Sequence, residues 1–465
     1  MSDMKANTLT GVDVLLEESA VAAFKASLRG QLLTPADEGY DAARIVWNSM
    51  IDKRPALIAR CAGAADVVKS VNFARMRELL VSVRGGGHNI AGAAICDGGL
   101  MIDLSLMRGV RVDPVNRAAR AEPGLTWKEL DHETLAFGLA TTGGTVSHTG
   151  IAGLTLGGGM GWQMAQHGLT CDNLLAVDIV TADGRLLTAS ETQFEDLFWA
   201  VRGGGGNFGV VTSFEYRLSP MAPVILGGMM LYPMDQAKAA LKFYRDYSRH
   251  APDDLTAFAA LLSLPDGVNV CAIIVGWFGP VDEGARRLEP LRNFGTPLAD
   301  LTGEIPYSRL QTLFDDAAPF GLRRYWKSGY FPELSDELIE VILKHAAIKT
   351  SPYTAILFFH IHGAAARVEP GATAFNARRN QWDFDILAQW LDGGDDARHI
   401  AWARGLWQEV EPFTKGVYTN HLDADDGATR VRAAYGANYE RLVSVKTRYD
   451  PGNLFRLNSN IAPIA

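Results

Sequence analysis

The chain has few cysteines, no excess of positive charge and no long apolar run, and each absence excludes a class of protein. Four cysteines occur among 465 residues, and no two of them form a C-x-x-C pair. This spacing indicates free thiols in a reducing compartment and argues against a cysteine zinc site. The net charge of -9 at pH 7 leaves no basic stripe that could hold a nucleic acid.

No segment predicts export or insertion into a membrane. The N-terminal stretch MSDMKANTLTGVDVLLEESA lacks an apolar core flanked by basic residues. No apolar run approaches the roughly 20 residues that a membrane-spanning helix needs. The composition, 48% hydrophobic with both signs of charge, is typical of a globular protein. We therefore expect a cytoplasmic protein with neither a membrane nor a nucleic acid as partner.

Glycine, in contrast, is abundant, and it clusters in the N-terminal half. The 47 glycines concentrate between Arg84 and Gly209, in loops at residues 84–88, 143–144, 157–161 and 203–209. Glycine lets backbone N–H groups approach an anionic ligand closely. No loop has the G-x-G-x-x-G spacing between a strand and a helix, and none is followed by G-K-[ST], so neither a Rossmann fingerprint nor a P-loop fits. One such loop could be a mere turn, but four indicate one extended ligand.

Apolar periodicity predicts short alternating strands and helices in the first half of the chain. Thr126 and Glu129 have capping-box spacing, which predicts the start of a helix that reaches about Phe137. Asp183 and Gly184 predict a hairpin turn between two β-like runs. These patterns indicate alternating short strands and helices that are joined by the glycine loops.

Larger elements are predicted beyond Pro220. LTAFAALLSLPDGVNVCAIIVGWF reads as two long strands, and Thr354–Gly363 reads as another. We predict a long helical stretch over residues 375–411, broken at Gly393-Gly394, and domain boundaries near residues 220 and 412.

Five segments together resemble a known family. They are VRGGGHN, TGGTVSHTGIAGLTLGGGMGW, HGLTCDN, DLFWAVRGGGGNFGVVTSFEYRL and YDPGNLFRLNSNIAP. The chain resembles the berberine-bridge-enzyme type of FAD-linked oxidases, within the vanillyl-alcohol-oxidase (PCMH-type) flavoprotein superfamily. Bacterial 6-hydroxynicotine oxidases and secondary-metabolite oxidases are similar in length and in loop sequence.

The resemblance implies an α+β fold in two domains. Residues 1–219 would form the N-terminal part of a PCMH-type FAD-binding domain. Residues 220–412 would form a substrate-binding domain with an antiparallel sheet covered by helices. Residues 413–465 would return to the FAD-binding domain.

The resemblance also implies how FAD is held. Arg84, Gly85, Gly86 and Gly87 match the loop that binds the pyrophosphate, and His88 matches the histidine that is covalently bonded to the flavin. Such a bond makes the flavin a stronger oxidant and prevents loss of the cofactor.

Two further positions bear on the flavin. Many members of the family have a second link, through a cysteine whose place Val146 takes here, so we expect a single covalent bond. Thr149 takes the place of a residue that controls access of oxygen, and its small β-branched side chain is typical of oxidases.

The family loops match other residues of this chain, which we expect to contact FAD. They are Asn89, Gly92, Gly143, Gly144, His148, Gly153, Gly157, Gly158, Cys171, Asp172, Asn173, Gly206, Phe208, Val210, Asn420 and Asn453.

Candidate catalytic residues lie in two segments. His360 and His362 are two apart on a predicted strand, so they share a face of that strand. The resemblance implies that this face meets the flavin, and histidine suits a general base near neutral pH. A metal site and a hydrogen-bonded core pair are alternatives. Tyr418, two residues before Asn420, matches a tyrosine beside the flavin ring and is the third candidate, with core packing as its alternative.

These expectations describe an oxidase with no metal. It would remove a hydride from a small-molecule alcohol, amine or N-heterocycle and pass the electrons to O2, giving H2O2. The alternatives are a dehydrogenase with another acceptor, an oxidative cyclase of secondary metabolism, and a non-catalytic FAD-binding protein. The substrate's identity and the oligomeric state are not readable from this sequence.

Overall fold

The structure, a computed structural model, describes residues 3–464. Its first part is a hairpin and a four-stranded sheet with strand order β3-β4-β6-β5, in which β4 and β5 are both parallel to β6. The elements are β1 (Met4–Asn7), β2 (Asp13–Leu16), α1 (Glu18–Ser27), β3 (Gln31–Leu33), α2 (Tyr40–Arg44), β4 (Leu57–Arg60), α3 (Ala64–Met76), β5 (Val81–Arg84) and β6 (Leu100–Asp103). Strand β5 leads directly into the first glycine loop.

The second part is built on a five-stranded antiparallel sheet with the order β11-β10-β12-β8-β7. Its elements are β7 (Val110–Asp113), β8 (Ala118–Ala121), α4 (Trp127–Leu135), β9 (Leu139–Ala140), α5 (Ile151–Leu156), α6 (Met164–His167), β10 (Leu174–Val180), β11 (Leu186–Ser190), α7 (Glu195–Val201), β12 (Val210–Arg217) and β13 (Ser219–Pro220). The predicted capping box of Thr126 and Glu129 is present, and Gly184 turns the β10–β11 hairpin at a φ of +83°.

The third part is an eight-stranded antiparallel sheet covered by helices. The strand order is β17-β14-β16-β15-β20-β21-β19, and β18 pairs with β14. The elements are β14 (Ile225–Pro233), α8 (Ala237–Arg249), β15 (Leu255–Ser263), β16 (Asn269–Trp277), α9 (Val281–Arg292), β17 (Ala299–Asp300), β18 (Gly303–Ile305), α10 (Tyr307–Gln311), β19 (Arg323–Phe331), α11 (Asp336–Ala346), β20 (Ala355–Ile361), α12 (Gly363–Arg367), β21 (Gln381–Trp390) and α13 (Asp396–Val410).

Both faces of this sheet are buried. Along β16, Ile273 and Val275 point to the core under α8, α9, α11 and α13, whereas Ala272 and Ile274 point to the opposite core. That opposite face turns toward the glycine loops. The strands therefore read as continuous apolar runs rather than as alternating ones.

The prediction of a long helix over residues 375–411 is wrong for its first half. Residues 381–390 form β21, which pairs with β19 on one side and with β20 on the other. Trp382, Phe384 and Ile386 point to the helix-covered core, and Asp383 and Asp385 alternate with them. This period of two is that of a strand. The helix α13 begins only at Asp396.

The C-terminal segment packs on the second part of the molecule. It contains α14 (Ala428–Tyr435) and α15 (Tyr439–Tyr449), whose Tyr435, Leu442 and Val445 lie in the same core as Trp199 and Phe208. No described helix combines the length and the apolar character needed to cross a membrane.

A buried ion pair fixes this segment. Lys446 Nζ, fully buried, donates to Asp450 Oδ2 at 2.6 Å and to the carbonyl oxygens of Asn207 at 2.8 Å and Phe455 at 3.1 Å. Asp450 in turn accepts from the backbone N–H groups of Leu454 and Phe455. Helix α15, the last glycine loop and the tail thus meet at one cation.

Replacing Lys446 by methionine should lower the free energy of unfolding by about 3–5 kcal/mol, because it leaves the Asp450 carboxylate buried and unpaired. Urea denaturation measures the change. Lys344→Met is the matched control, since Lys344 is 69% exposed where it meets Glu409, and such surface pairs contribute little. Equal effects of the two substitutions would contradict the anchoring role.

Candidate active site

A cavity of about 740 Å³ lies between the glycine loops and the eight-stranded sheet. One wall is formed by backbone of residues 85–89, 149–154 and 205–211, and the other by the face of β20 and β21 that points away from the helices. Residues 418–421 of the C-terminal segment complete the lining of the cavity between these two walls. The cavity therefore needs all parts of the chain.

The loop wall suits an extended anionic ligand such as FAD. A Cβ on Gly86 would lie 2.5 Å from the backbone of Gly150, so these two loops pack backbone to backbone, whereas a Cβ on Gly153 would meet nothing within 4 Å. No Asp or Glu is among the described cavity-lining residues of the three loops. Bare amides without acidic side chains are what a pyrophosphate requires.

Many of the residues expected to contact FAD line this cavity. They are Gly85, Gly86, Gly87, His88, Asn89, Val146, Thr149, Gly153, Gly206, Val210 and Asn420. The structure thus brings together residues in or next to the glycine loops 84–88 and 203–209, residues of the segment 146–153, and a residue of the C-terminal segment.

The other expected FAD contacts do not reach the cavity wall. They are Arg84, Gly92, Gly143, Gly144, His148, Gly157, Gly158, Cys171, Asp172, Asn173, Phe208 and Asn453. Most of them shape the loops from behind: Gly143 packs on the Trp127 ring, and a Cβ on Gly157 would lie 2.1 Å from Asn420 Oδ1. The carboxylate of Asp172 is taken by the Arg378 guanidinium, at 2.6 and 2.7 Å.

His88 is held on several sides. Its ring stacks on Trp47 with centroids 4.9 Å apart, its Nε2 lies 2.9 Å from His148 Nδ1, and its Nδ1 lies 3.4 Å from Thr149 Oγ1. Desolvation by burial, then the nearby His148 and Arg324, lower the pKa of His88 well below the usual value. The imidazole is therefore neutral at pH 7 and keeps a lone pair.

The place of the missing cysteine is apolar. Val146 lines the cavity and packs with Trp47, Ile90 and Trp326. Cys171, the cysteine expected among the FAD contacts, is fully buried outside the cavity lining, with its Sγ 3.8 Å from the Arg378 guanidinium. Burial raises the pKa of its thiol, so it stays protonated.

The histidine pair lies on the opposite face of β20 from the one expected. His360 and His362 do share a face, with ring centroids 4.8 Å apart, but Leu357 and Phe359 are the β20 residues that line the cavity. His360 Nε2 lies 2.6 Å from Asn380 Oδ1, and His362 Nε2 lies 3.0 Å from the Leu255 carbonyl. The expectation that this pair faces the flavin is corrected: it is a hydrogen-bonded core pair.

Asp385 is the carboxylate that the sequence analysis missed. It lies on the cavity face of β21, where its Oδ1 accepts from Trp326 Nε1 at 2.8 Å and lies 2.8 Å from His421 Nδ1. Its Oδ2 is buried and has no hydrogen-bond partner among the described residues. The alternation in WDFDILAQW could have revealed it, had the segment been recognised as a strand.

His421 carries a positive charge at this site. Its ring stacks on Trp326 with centroids 4.5 Å apart, and its Nδ1 also lies 3.3 Å from Asp383 Oδ2. Although burial opposes the charged form, the carboxylates of Asp385 and Asp383 raise the pKa of His421 to about 10. Burial and the neighbouring Asp385 raise the pKa of Asp383.

The same three side chains have the donor types of a metal site. Ligand atoms of Asp383, Asp385 and His421 lie within 4.8 Å of one another. In the protonated state, however, His421 already supplies the cation that the two carboxylates need. The cluster can therefore be described as an ion pair, in which Oδ2 of Asp383 and Oδ2 of Asp385 have no hydrogen-bond partner among the described residues.

Tyr418 lies at the cavity as expected. Its hydroxyl oxygen accepts from the Gly159 N–H and from Asn420 Nδ2, each at 2.8 Å, and its ring contacts His421 edge-on with centroids 4.7 Å apart. Burial raises the pKa of this phenol above its usual value. Tyr418 therefore stays protonated and can donate a hydrogen bond, but it is a poor base.

Beyond these polar groups, the sheet side of the cavity is largely apolar. The hydrophobic side chains that line it are Met229, Leu262, Leu264, Ile274, Leu313, Phe314, Trp326, Tyr353, Leu357, Phe359 and Leu387. A ligand here would bury an apolar body and present one polar group to Asp385.

Comparison with known proteins identifies relatives along the whole chain. The profile of the FAD binding domain matches residues 55–190, and that of berberine and berberine-like proteins matches residues 417–462. An FAD-linked oxidoreductase of Dictyostelium discoideum is 33% identical over 467 residues, which cover 99% of this chain and 100% of that protein. (R)-6-hydroxynicotine oxidase of Paenarthrobacter nicotinovorans is 31% identical, over 94% of this chain and 97% of that enzyme.

The fold has a solved counterpart as well. The crystal structure of 6-hydroxy-D-nicotine oxidase from Arthrobacter nicotinovorans superposes with a TM-score of 0.86 at 30% identity, covering 94% of this chain and 99% of that one.

Proposed function

Because this chain belongs to the berberine-bridge-enzyme-like FAD-linked oxidoreductases, we propose that it is an oxidase of a largely apolar small molecule. The substrate is an alcohol, an amine or a hydroxylated N-heterocycle, and O2 is the electron acceptor. The observation that carries the proposal is the unpartnered Oδ2 of Asp385 in an apolar cavity.

Asp385 is the proposed base. Its free Oδ2 accepts the proton of a substrate O–H or N–H, while Trp326 fixes Oδ1 and His421 balances the charge. Bound FAD supplies the oxidation, since it accepts the hydride from the adjacent carbon. The apolar walls exclude water and hold the body of the substrate in place.

FAD is proposed to be attached through His88 alone. The neutral imidazole, the apolar side chain at Val146 and the remote Cys171 all support one covalent bond rather than two. The loop that follows Arg84 is proposed to bind the pyrophosphate through its backbone. The Arg84 side chain itself points to Asp103 and to the Ala43 carbonyl.

A screen for peroxide tests the oxidase. Apolar alcohols, amines and hydroxylated N-heterocycles are mixed with the enzyme in air, and H2O2 release and flavin absorbance are followed. We expect peroxide from members of these classes and little from mono- and oligosaccharides, which cannot fill an apolar cavity. Flavin that is reduced without peroxide release would identify a dehydrogenase instead, and oxidation with ring closure would identify a cyclase. Flavin that no donor reduces would contradict catalysis.

Thr149 is proposed to control the access of O2. Replacing it by leucine should slow reoxidation of the reduced flavin by about tenfold or more, because the family resemblance implies that a bulky side chain at this position blocks O2. Reduction of the flavin by substrate should proceed at nearly the same rate. Stopped-flow measurement of the two half-reactions separates these effects. Thr149→Val, of nearly the same shape, is the control and should retain both rates. Unchanged reoxidation in the leucine variant would reject the gating role.

A further inference from the structure

We propose that His148 is a positioning residue for covalent attachment of FAD, which holds one ring nitrogen of His88 and accepts its proton as the bond forms. This inference rests on the proposed attachment through His88. His148 does not line the cavity, so contact with the bound cofactor does not explain its position. Its close neighbour is the His88 ring itself, 2.9 Å away between Nδ1 of His148 and Nε2 of His88.

Two facing ring nitrogens require one donor and one acceptor. The Ala318 backbone favours a protonated ring nitrogen on His148, and we assign that proton to Nε2, so that Nδ1 accepts. In that arrangement His88 donates from Nε2, and its lone pair is on Nδ1. The Nδ1 atom lies beside Thr149, a residue of the cavity wall. The contact with His148 thereby selects the nitrogen that reacts.

The balance of the step shows why a proton acceptor is needed. A C–N bond forms between His88 Nδ1 and a flavin methyl carbon, one methyl proton is lost, and the flavin takes up two electrons. The alkylated imidazole is then a cation, and its Nε2 proton passes to His148. O2 takes the two electrons and two protons to give H2O2, which restores the oxidised cofactor.

Two groups beside His148 favour its protonated form. Burial and the nearby Arg324 lower the pKa of His148, whereas the carboxylate of Asp315 and the Ala318 backbone act in the opposite direction. Asp315 is itself fixed, since it accepts from the Ser147 N–H at 2.9 Å and from the Ser147 hydroxyl at 2.6 Å. Trp47, stacked on His88, donates to the Ala318 carbonyl at 2.7 Å and holds the group together.

The test compares His148→Asn and His148→Ala in the full-length protein. The asparagine side-chain oxygen can take the place of Nδ1 and accept from His88, but it cannot take up a proton. Each protein, purified before all of its FAD is covalently attached, is incubated with added FAD in air. The fraction of protein with covalently attached FAD is then followed by intact mass and by flavin fluorescence after denaturation. His345→Asn, at a buried histidine paired with Glu409 on the outer helices, is the control.

We expect attachment to slow by about 100-fold in His148→Ala, the usual scale for loss of a proton acceptor, and by less in His148→Asn. The asparagine variant should keep the linkage at Nδ1, determined by NMR of the flavin peptide. Attachment at the wild-type rate in both variants, with folding confirmed by thermal melting, would overturn the inference. If the wild type has no covalent FAD, or has it on another peptide, the proposed attachment itself fails.

Discussion

Asp385→Asn is expected to slow reduction of the flavin by substrate on the order of 1,000-fold, within the range known for loss of a general base. Asparagine has the same shape and can still accept from Trp326 Nε1, but it cannot take a proton from the substrate. FAD binding should be unaffected, because the side chain lies on the sheet wall and not among the glycine loops. Anaerobic stopped-flow spectroscopy measures the rate directly.

His360→Asn is the informative control for this prediction. The sequence analysis names His360 as one of three candidate catalytic residues, whereas the structure turns it toward the helix-covered core, where its ring centroid lies 4.8 Å from that of Trp382. We expect this variant to keep flavin reduction within a few-fold of wild type, even if it is less stable. A slow His360 variant together with a fast Asp385 variant would reverse the assignment.

His88→Ala is expected to abolish covalent attachment completely. Acid denaturation of the wild type should leave flavin on the protein, whereas the variant should release all of it, because the apolar Val146 takes the place of the second attachment cysteine and no cysteine lines the described cavity wall. Mass spectrometry of the digested protein locates the adduct.

Cys171→Ser serves as the control for that experiment. Its thiol is buried behind the loops, so the substitution should leave the amount of attached FAD unchanged. FAD mass on a peptide that contains Cys171, or on no peptide of the wild type, would contradict attachment through His88 alone.

The loop wall of the cavity could be predicted from sequence, and the sheet wall could not. Glycine spacing and the resemblance pointed to Gly85–Gly87, His88 and Gly206, which line the cavity, because a run of exposed backbone amides depends on local sequence. The role of Asp385 depends instead on which face of β21 meets the loops. Both faces are buried, so polarity does not mark the cavity side.

The histidines illustrate the same limit. That His360 and His362 share a face follows from the period of a strand, and the structure agrees. Which face they share depends on where α8 packs, and nothing in LFFHIHG encodes that. The wrong helix over 381–390 had a related cause: an apolar segment of this length fits a buried helix or a buried strand, and only its partners β19 and β20 decide between them.

The position of residues 418–421 in the chain has a consequence for biosynthesis. A ribosome completes the glycine loops, His88, His148, Asp315 and Asp385 before it reaches Tyr418 and His421. The Asp385 carboxylate therefore has no His421 beside it on the growing polypeptide until the C-terminal segment folds back. The ion pair of Lys446 and Asp450 then fixes that segment. A prematurely terminated product can retain every residue that we assign to cofactor attachment and still lack the cation that completes the catalytic pair.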